Sequence, residues 1–112
     1  MILRDIVESD LKLLVINKKD VALGARIKGG YTSDLLSQVL AKARGLSVWI
    51  TIQNHMNIIG VATMLDLKAI IICEDRKVPE DVIDKADEEG IVLLSCPYGA
   101  YKIGGELFTR GL

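Results

Sequence analysis

The chain has 112 residues, long enough to bury one core without disulfides or a structural metal and too short for a second domain. Its 14 basic and 15 acidic residues leave a net charge of -1, and no run of Lys and Arg is interleaved with aromatics, so nucleic acid is excluded as an expected partner. No apolar stretch approaches the roughly 20 residues a membrane helix needs, which excludes a spanning segment.

The start, Met1-Ile2-Leu3-Arg4-Asp5, lacks the charged opening and apolar centre of a signal peptide, so a soluble cytoplasmic protein is expected. Half of the residues are hydrophobic and the mean hydropathy is +0.32, high for a small domain. That excess predicts an apolar surface buried against a second copy, a homodimer.

In chain order, a short helix is predicted over Ile2 to Glu8, a strand over Leu11 to Ile16 and a weaker extended segment around Val21 to Ile27. Gly29-Gly30-Tyr31-Thr32-Ser33-Asp34 then leads into a helix with Leu35, Leu36, Val39, Leu40 and Ala43 on one face, ending near Gly45. From residue 47 the pattern becomes strand, polar corner, helix. The strands are Ser47 to Ile52, Lys68 to Cys73 and Ile91 to Ser95, continuously apolar as strands covered on both faces require. Between them lie a helix over Met56 to Leu65, apolar nearly all round and capped by Asn54, and a helix with Pro79 in its first turn and Gly90 at its exit. A last helix is predicted over Tyr98 to Arg110, weakened by Gly104 and Gly105. The fold class is therefore α/β: a single domain, residues 1–112, with a largely parallel sheet and flanking helices.

Cys73 and Cys96 lie in or beside apolar runs and read as reduced core thiols. With one His and no C-x-x-C, the chain lacks the ligands for the usual four-ligand zinc site or a four-cysteine iron–sulfur cluster, and no metal or cofactor is expected.

Two polar clusters stand at predicted helix starts. In the first, Gly29 to Asp34, paired glycines permit close backbone approach, and the amides that follow can face an anion such as phosphate, with Asp34 reserved for ribose hydroxyls or a cation. The plainer alternative is a tight turn at Gly29-Gly30, a cap from Thr32 or Ser33, and Asp34 complementing the helix dipole. The stretch from Gly24 has P-loop glycine spacing, but Gly30 stands where Lys is required and Tyr31 where Ser or Thr is, so it is rejected. The second cluster, Gln53-Asn54-His55-Met56-Asn57, follows a strand and opens the most apolar helix, beyond the strand ends where α/β sheets bind ligands. Its hydrogen-bonding side chains exceed what one cap needs. Two further corners share the predicted rim: Glu74-Asp75-Arg76-Lys77, where Arg76 could hold a phosphate or be an ordinary surface charge, and Cys96-Pro97-Tyr98.

At these clusters the chain resembles the DRTGG domain family in its stand-alone form. The likeness runs over much of the chain from Arg26 onward. It is carried by Gly29-Gly30-Tyr31 with Asp34, by Trp49 to Ile58, and by Ile70-Ile71-Ile72 followed by Lys77-Val78-Pro79-Glu80. Lys28 precedes the glycine pair where the family name has Thr, so no role tied to that Thr carries over. The resemblance implies a fold like the N-terminal domain of HPr kinase/phosphorylase, which is separate from the catalytic kinase domain. It also implies a regulatory setting, since DRTGG domains accompany CBS domains in some pyrophosphatases and occur in some phosphotransacetylases. Stand-alone relatives encoded near iron-only hydrogenase subunits imply a link to electron-transfer metabolism.

The leading functional expectation is a non-catalytic regulatory or ligand-binding module for a nucleotide or other small phosphorylated metabolite. Its site residues would be Gly29, Gly30, Tyr31, Ser33, Asp34, Gln53, Asn54, His55, Asn57 and Arg76. The alternative is an interaction subunit docking on a metabolic enzyme of the hydrogenase-type electron-transfer class. A third reading is an enzyme with His55 as base, Asp34 orienting it and Ser33 or Ser37 as nucleophile, which requires these groups to meet.

Overall fold

The structure, a computed structural model, describes residues 1–112. Its elements are α1 (Leu3–Val7), β1 (Leu14–Val15), β2 (Gly29–Thr32), α2 (Leu36–Lys42), β3 (Ser47–Thr51), α3 (Asn57–Met64), β4 (Ala69–Ile72), α4 (Glu80–Glu89), β5 (Val92–Ser95) and α5 (Ala100–Thr109). Strands β2 to β5 pair in parallel and in sequence order, and β1 adds antiparallel outside β5, giving the order β1-β5-β4-β3-β2.

A sheet that advances steadily in one direction through right-handed crossovers places its connecting helices on one face. Accordingly Val39 of α2 with Ala43 just after it, Ile58, Ile59 and Ala62 of α3, and Val82, Ile83 and Ala86 of α4 share a core with Trp49, Ile70, Ile72 and Leu93. The terminal helices cover the other face, where Leu3, Ile6, Ile103 and Leu107 pack on Val48, Ile50, Ala69, Ile71, Val92 and Leu94. Alternate residues of each strand thus enter different cores, and the unbroken apolar runs follow from that two-sided burial. The expected α/β architecture holds. Pro79 is the cap of α4 and Gly90 ends it in the left-handed region at φ 71°. No helix is long and apolar enough to cross a membrane.

Three local expectations are corrected. The extended segment expected around residues 21–27 joins no named strand: its one bridge pairs Arg26 with Ile2, and the carbonyls of Leu23 and Ala25 accept the N–H groups of Arg4 and Leu3, so it satisfies the first turn of α1. The strand lies just beyond, at Gly29–Thr32, where Gly29 and Gly30 have ordinary negative φ and make no turn. Low β propensity hid an edge strand whose register is imposed by β3. The third concerns capping: neither α2 nor α3 has a side-chain cap, and Asn54 points elsewhere.

Cys73 and Cys96 are free and buried. Burial, with Cys96 beside it, pushes the Cys73 thiol up to about 12, and burial also raises Cys96. Because the unfolded thiol ionises near its ordinary value of 9.0 while the folded one resists, the Cys73 contribution to stability is full below that value and is lost as pH rises towards about 12. The expected result is a urea midpoint that falls between pH 8 and pH 10. Alkylation by iodoacetamide at pH 8 should be slow in the folded protein and rapid in urea.

Candidate functional site

The carboxyl ends of β2 to β5 form one continuous hydrogen-bonded rim. Its centre is Thr51, the last residue of β3 and fully buried. A buried hydroxyl inside an otherwise apolar strand needs partners. Thr51 Oγ1 donates to Asp34 Oδ1 at 2.8 Å and accepts the Gln53 N–H at 3.0 Å. The same carboxylate oxygen accepts the Ile52 N–H at 2.9 Å, and Gln53 Nε2 donates to the Asp34 carbonyl at 3.0 Å. Behind this corner, the buried Trp49 indole donates to the Ser33 carbonyl at 2.8 Å and the Ser33 N–H reaches the Ile50 carbonyl.

The other corners are tied in turn. Asn54 Nδ2 donates to the Lys77 carbonyl at 2.7 Å, joining the turn after β3 to the turn after β4. In that second turn Glu74 and Asp75 both hold positive φ, 65° and 53°, while their N–H groups bond to the carbonyls of Tyr98 and Cys96. Such a conformation in successive non-glycine residues is strained and is kept here by those bonds. It turns the chain so that Arg76 and Lys77 lie exposed, with no carboxylate in ion-pair range of either.

The two clusters singled out in the sequence therefore meet, but only in part. Asp34 joins Gln53, Ser33 is held behind it by Trp49, and Asn54 is tied to the Lys77 turn, with His55, Asn57 and Arg76 exposed alongside. Gly29 and Gly30 do not belong to this rim, because they pair with Ser47 and Val48 at the start of β3. Tyr31 packs its ring against the core shared with α2, α3 and α4. Asp34 does not sit in the first turn of α2 as a dipole partner; its carboxylate fixes the β3 turn. Thr51 and Trp49 are not among the candidate site residues of the sequence, where they read as strand interior within the run that carries the family resemblance. The signal available was polarity itself: a Thr hydroxyl and an indole N–H inside a continuously apolar run require acceptors.

The successive N–H groups of Asn54, His55, Met56 and Asn57 have no acceptor within the protein. Nor does the first turn of α3 carry an acidic side chain, whereas α4 begins with Glu80 and Asp81. Unpaired amides at a helix start with two free cations nearby make a shelf suited to an anion. It is open surface, since no pocket in the structure is lined by these residues. His55 forms no hydrogen bond with Asp34, Ser33 or Ser37, and the Ser33 hydroxyl accepts the Leu35 N–H. The relay of the enzyme reading is not assembled.

No family model and no curated protein matches the chain. Among solved structures it superimposes on the CBS and DRTGG domains of the regulatory region of Clostridium perfringens pyrophosphatase, complexed with the activator diadenosine tetraphosphate. The TM-score is 0.70 at 14% identity, over 98% of this chain and 46% of that one, so this chain spans about half that length. The likeness is one of fold: a single α/β domain of DRTGG-like architecture.

Proposed function

We propose that the domain is a regulatory module that binds a nucleotide or other small phosphorylated metabolite on the rim at the carboxyl end of its sheet. The observation that carries this reading is the convergence of the Asp34 corner with the turn over residues 53–57, which leaves unpaired amides beside Arg76 and Lys77. In this reading the amides and the two cations receive phosphoryl oxygens, and His55 and Asn57 supply further donors. The second Asp34 oxygen, which has no partner in the protein, accepts a sugar hydroxyl. The fold is consistent with it, since the similar chain is part of a regulatory region and was captured with an activating nucleotide.

The test is thermal unfolding with ATP, ADP, AMP and sugar phosphates on the wild type, Arg76→Ala and His55→Ala. A ligand at ~100 times its dissociation constant stabilises the folded state by about 2.7 kcal/mol. The shift should disappear in Arg76→Ala and shrink in His55→Ala, with unliganded midpoints unchanged because both side chains are exposed and unpaired. A panel without any shift, or a shift indifferent to both substitutions, overturns the reading.

A second observation favours an interface. The outer edge of β2 is unpaired, and beside it a pocket of about 330 Å³ is lined by Gly30, Thr32, Ile50, Leu107, Phe108 and Leu112. Phe108 is 80% exposed and Tyr101 97%, too much aromatic surface on one helix to leave in water. In this reading a second copy pairs at this edge and forms a homodimer. Light scattering should give a dimer mass for the wild type and a monomer for Phe108→Glu. A monomeric wild type directs the search to a metabolic enzyme as the partner of this surface.

A further inference from the structure

At the opposite end of the sheet, where the parallel strands begin, a pocket of about 390 Å³ is lined by Arg26, Lys28, Gly45, Ser47, Asp66 and Lys68 among others. It is separated from the rim by the length of β3, since Ser47 opens that strand and Thr51 closes it. Its cations outnumber its carboxylates: Lys68 pairs with Asp66 at 3.1 Å, whereas Arg26 and Lys28 have no ion-pair partner.

Basic residues at this end of an α/β domain usually complement the carbonyl ends of helices. Here the exposed carbonyls nearest the pocket have other donors, and neither Arg26 nor Lys28 hydrogen-bonds to a helix carbonyl. The Gly45 N–H takes the Leu65 carbonyl, the Leu46 N–H takes that of Ala43, and the Arg44 guanidinium takes that of Met64. The charges of Arg26 and Lys28 are thus not spent on a hydrogen bond or an ion pair within the chain.

The main chains of Lys28 and Lys68 are held by one residue of unusual conformation. Ser47 is 4% exposed and holds φ at 80°. Its hydroxyl oxygen accepts the Lys28 N–H at 3.1 Å and its carbonyl accepts the Lys68 N–H at 2.7 Å, so it fixes the starts of β2 and β4 relative to each other. The hydroxyl proton has no acceptor in the protein and remains free to donate into the pocket. Asp66, also on the wall, is likewise non-glycine at positive φ, 56°. A polar pocket with unpaired cations, a buried hydroxyl with a spare proton and strained wall residues has the composition of a binding site.

We propose that this pocket is a second anion site, taking a small multiply charged oxyanion of the phosphate or pyrophosphate class. Arg26 and Lys28 supply the charge, the Ser47 hydroxyl supplies a neutral donor, and Asp66 orients Lys68. The site is distinct from the rim and stands or falls separately.

The probe is inorganic pyrophosphate, titrated at low ionic strength into the full chain and followed by backbone amide chemical shifts. Saturating shifts are expected at Lys28, Ser47 and Lys68, with affinity reduced at least about tenfold in an Arg26→Glu, Lys28→Glu double variant. The same shifts should persist in Arg76→Ala. Both substituted side chains are exposed, and the amide spectrum itself reports whether the double variant is folded. Absence of saturating shifts at these three residues, or equal affinity after charge reversal, overturns the proposal. Shifts confined to residues 54–57 and 76–77 would do the same while leaving the rim reading intact.

Discussion

Trp49→Ala is expected to remove about 3–5 kcal/mol of stability, a large share of what a domain of this size possesses. Trp49 is fully buried at the centre of β3, between the neighbouring strands and the core formed by α2, α3 and α4, so truncation leaves a cavity that the close-packed helices cannot refill. At roughly 4 °C per kcal/mol the unfolding midpoint should fall by roughly 10–20 °C. Trp49→Phe separates the two roles of the residue. It keeps most of the volume but deletes the indole bond to the Ser33 carbonyl, at a cost of about 1 kcal/mol. A drop for Trp49→Phe as large as for Trp49→Ala would mean that the hydrogen bond, and not packing, dominates at this position.

Asp34→Ala is expected to cost about 2 kcal/mol and to abolish ligand binding at the rim together. Removing the carboxylate strands the proton of the fully buried Thr51 hydroxyl and the Ile52 N–H, both of which donate to a single oxygen. Asp34→Asn retains an oxygen able to accept both bonds, so it should recover most of the stability while lacking the charge. Urea unfolding and ligand titration of the two variants distinguish scaffold from contact. Binding restored in Asp34→Asn assigns Asp34 to positioning the turn after β3. Binding still absent in a stable Asp34→Asn assigns the charge to the ligand.

The legibility of the molecule in its sequence varies with the physics of each element. The strands at Ser47, Lys68 and Ile91 were readable because two-sided burial leaves an unbroken apolar run, and α4 because its apolar stripe lies between Pro79 and Gly90. The edge strand Gly29–Thr32 was not, since half its residues are glycine and its extended form comes from pairing with β3. Asn54 had the residue type and place of a cap, yet its amide found the Lys77 carbonyl, 23 residues away. Local preference is worth about 1 kcal/mol at such positions, and a tertiary partner of equal strength decides against it.

By itself the sequence determined the α/β class, the parallel core, the burial of both thiols and the polar residues that follow the strands, because periodicity and composition act within a few neighbouring residues. Only the tertiary structure decided that Asp34 meets Thr51 and Gln53, that Gly29, Gly30 and Tyr31 leave the rim, and that Arg26, Lys28 and Lys68 gather at the other end. These groups lie far apart along the chain. They are brought together by strand register and by the common hand of the crossovers, which no local window of sequence contains.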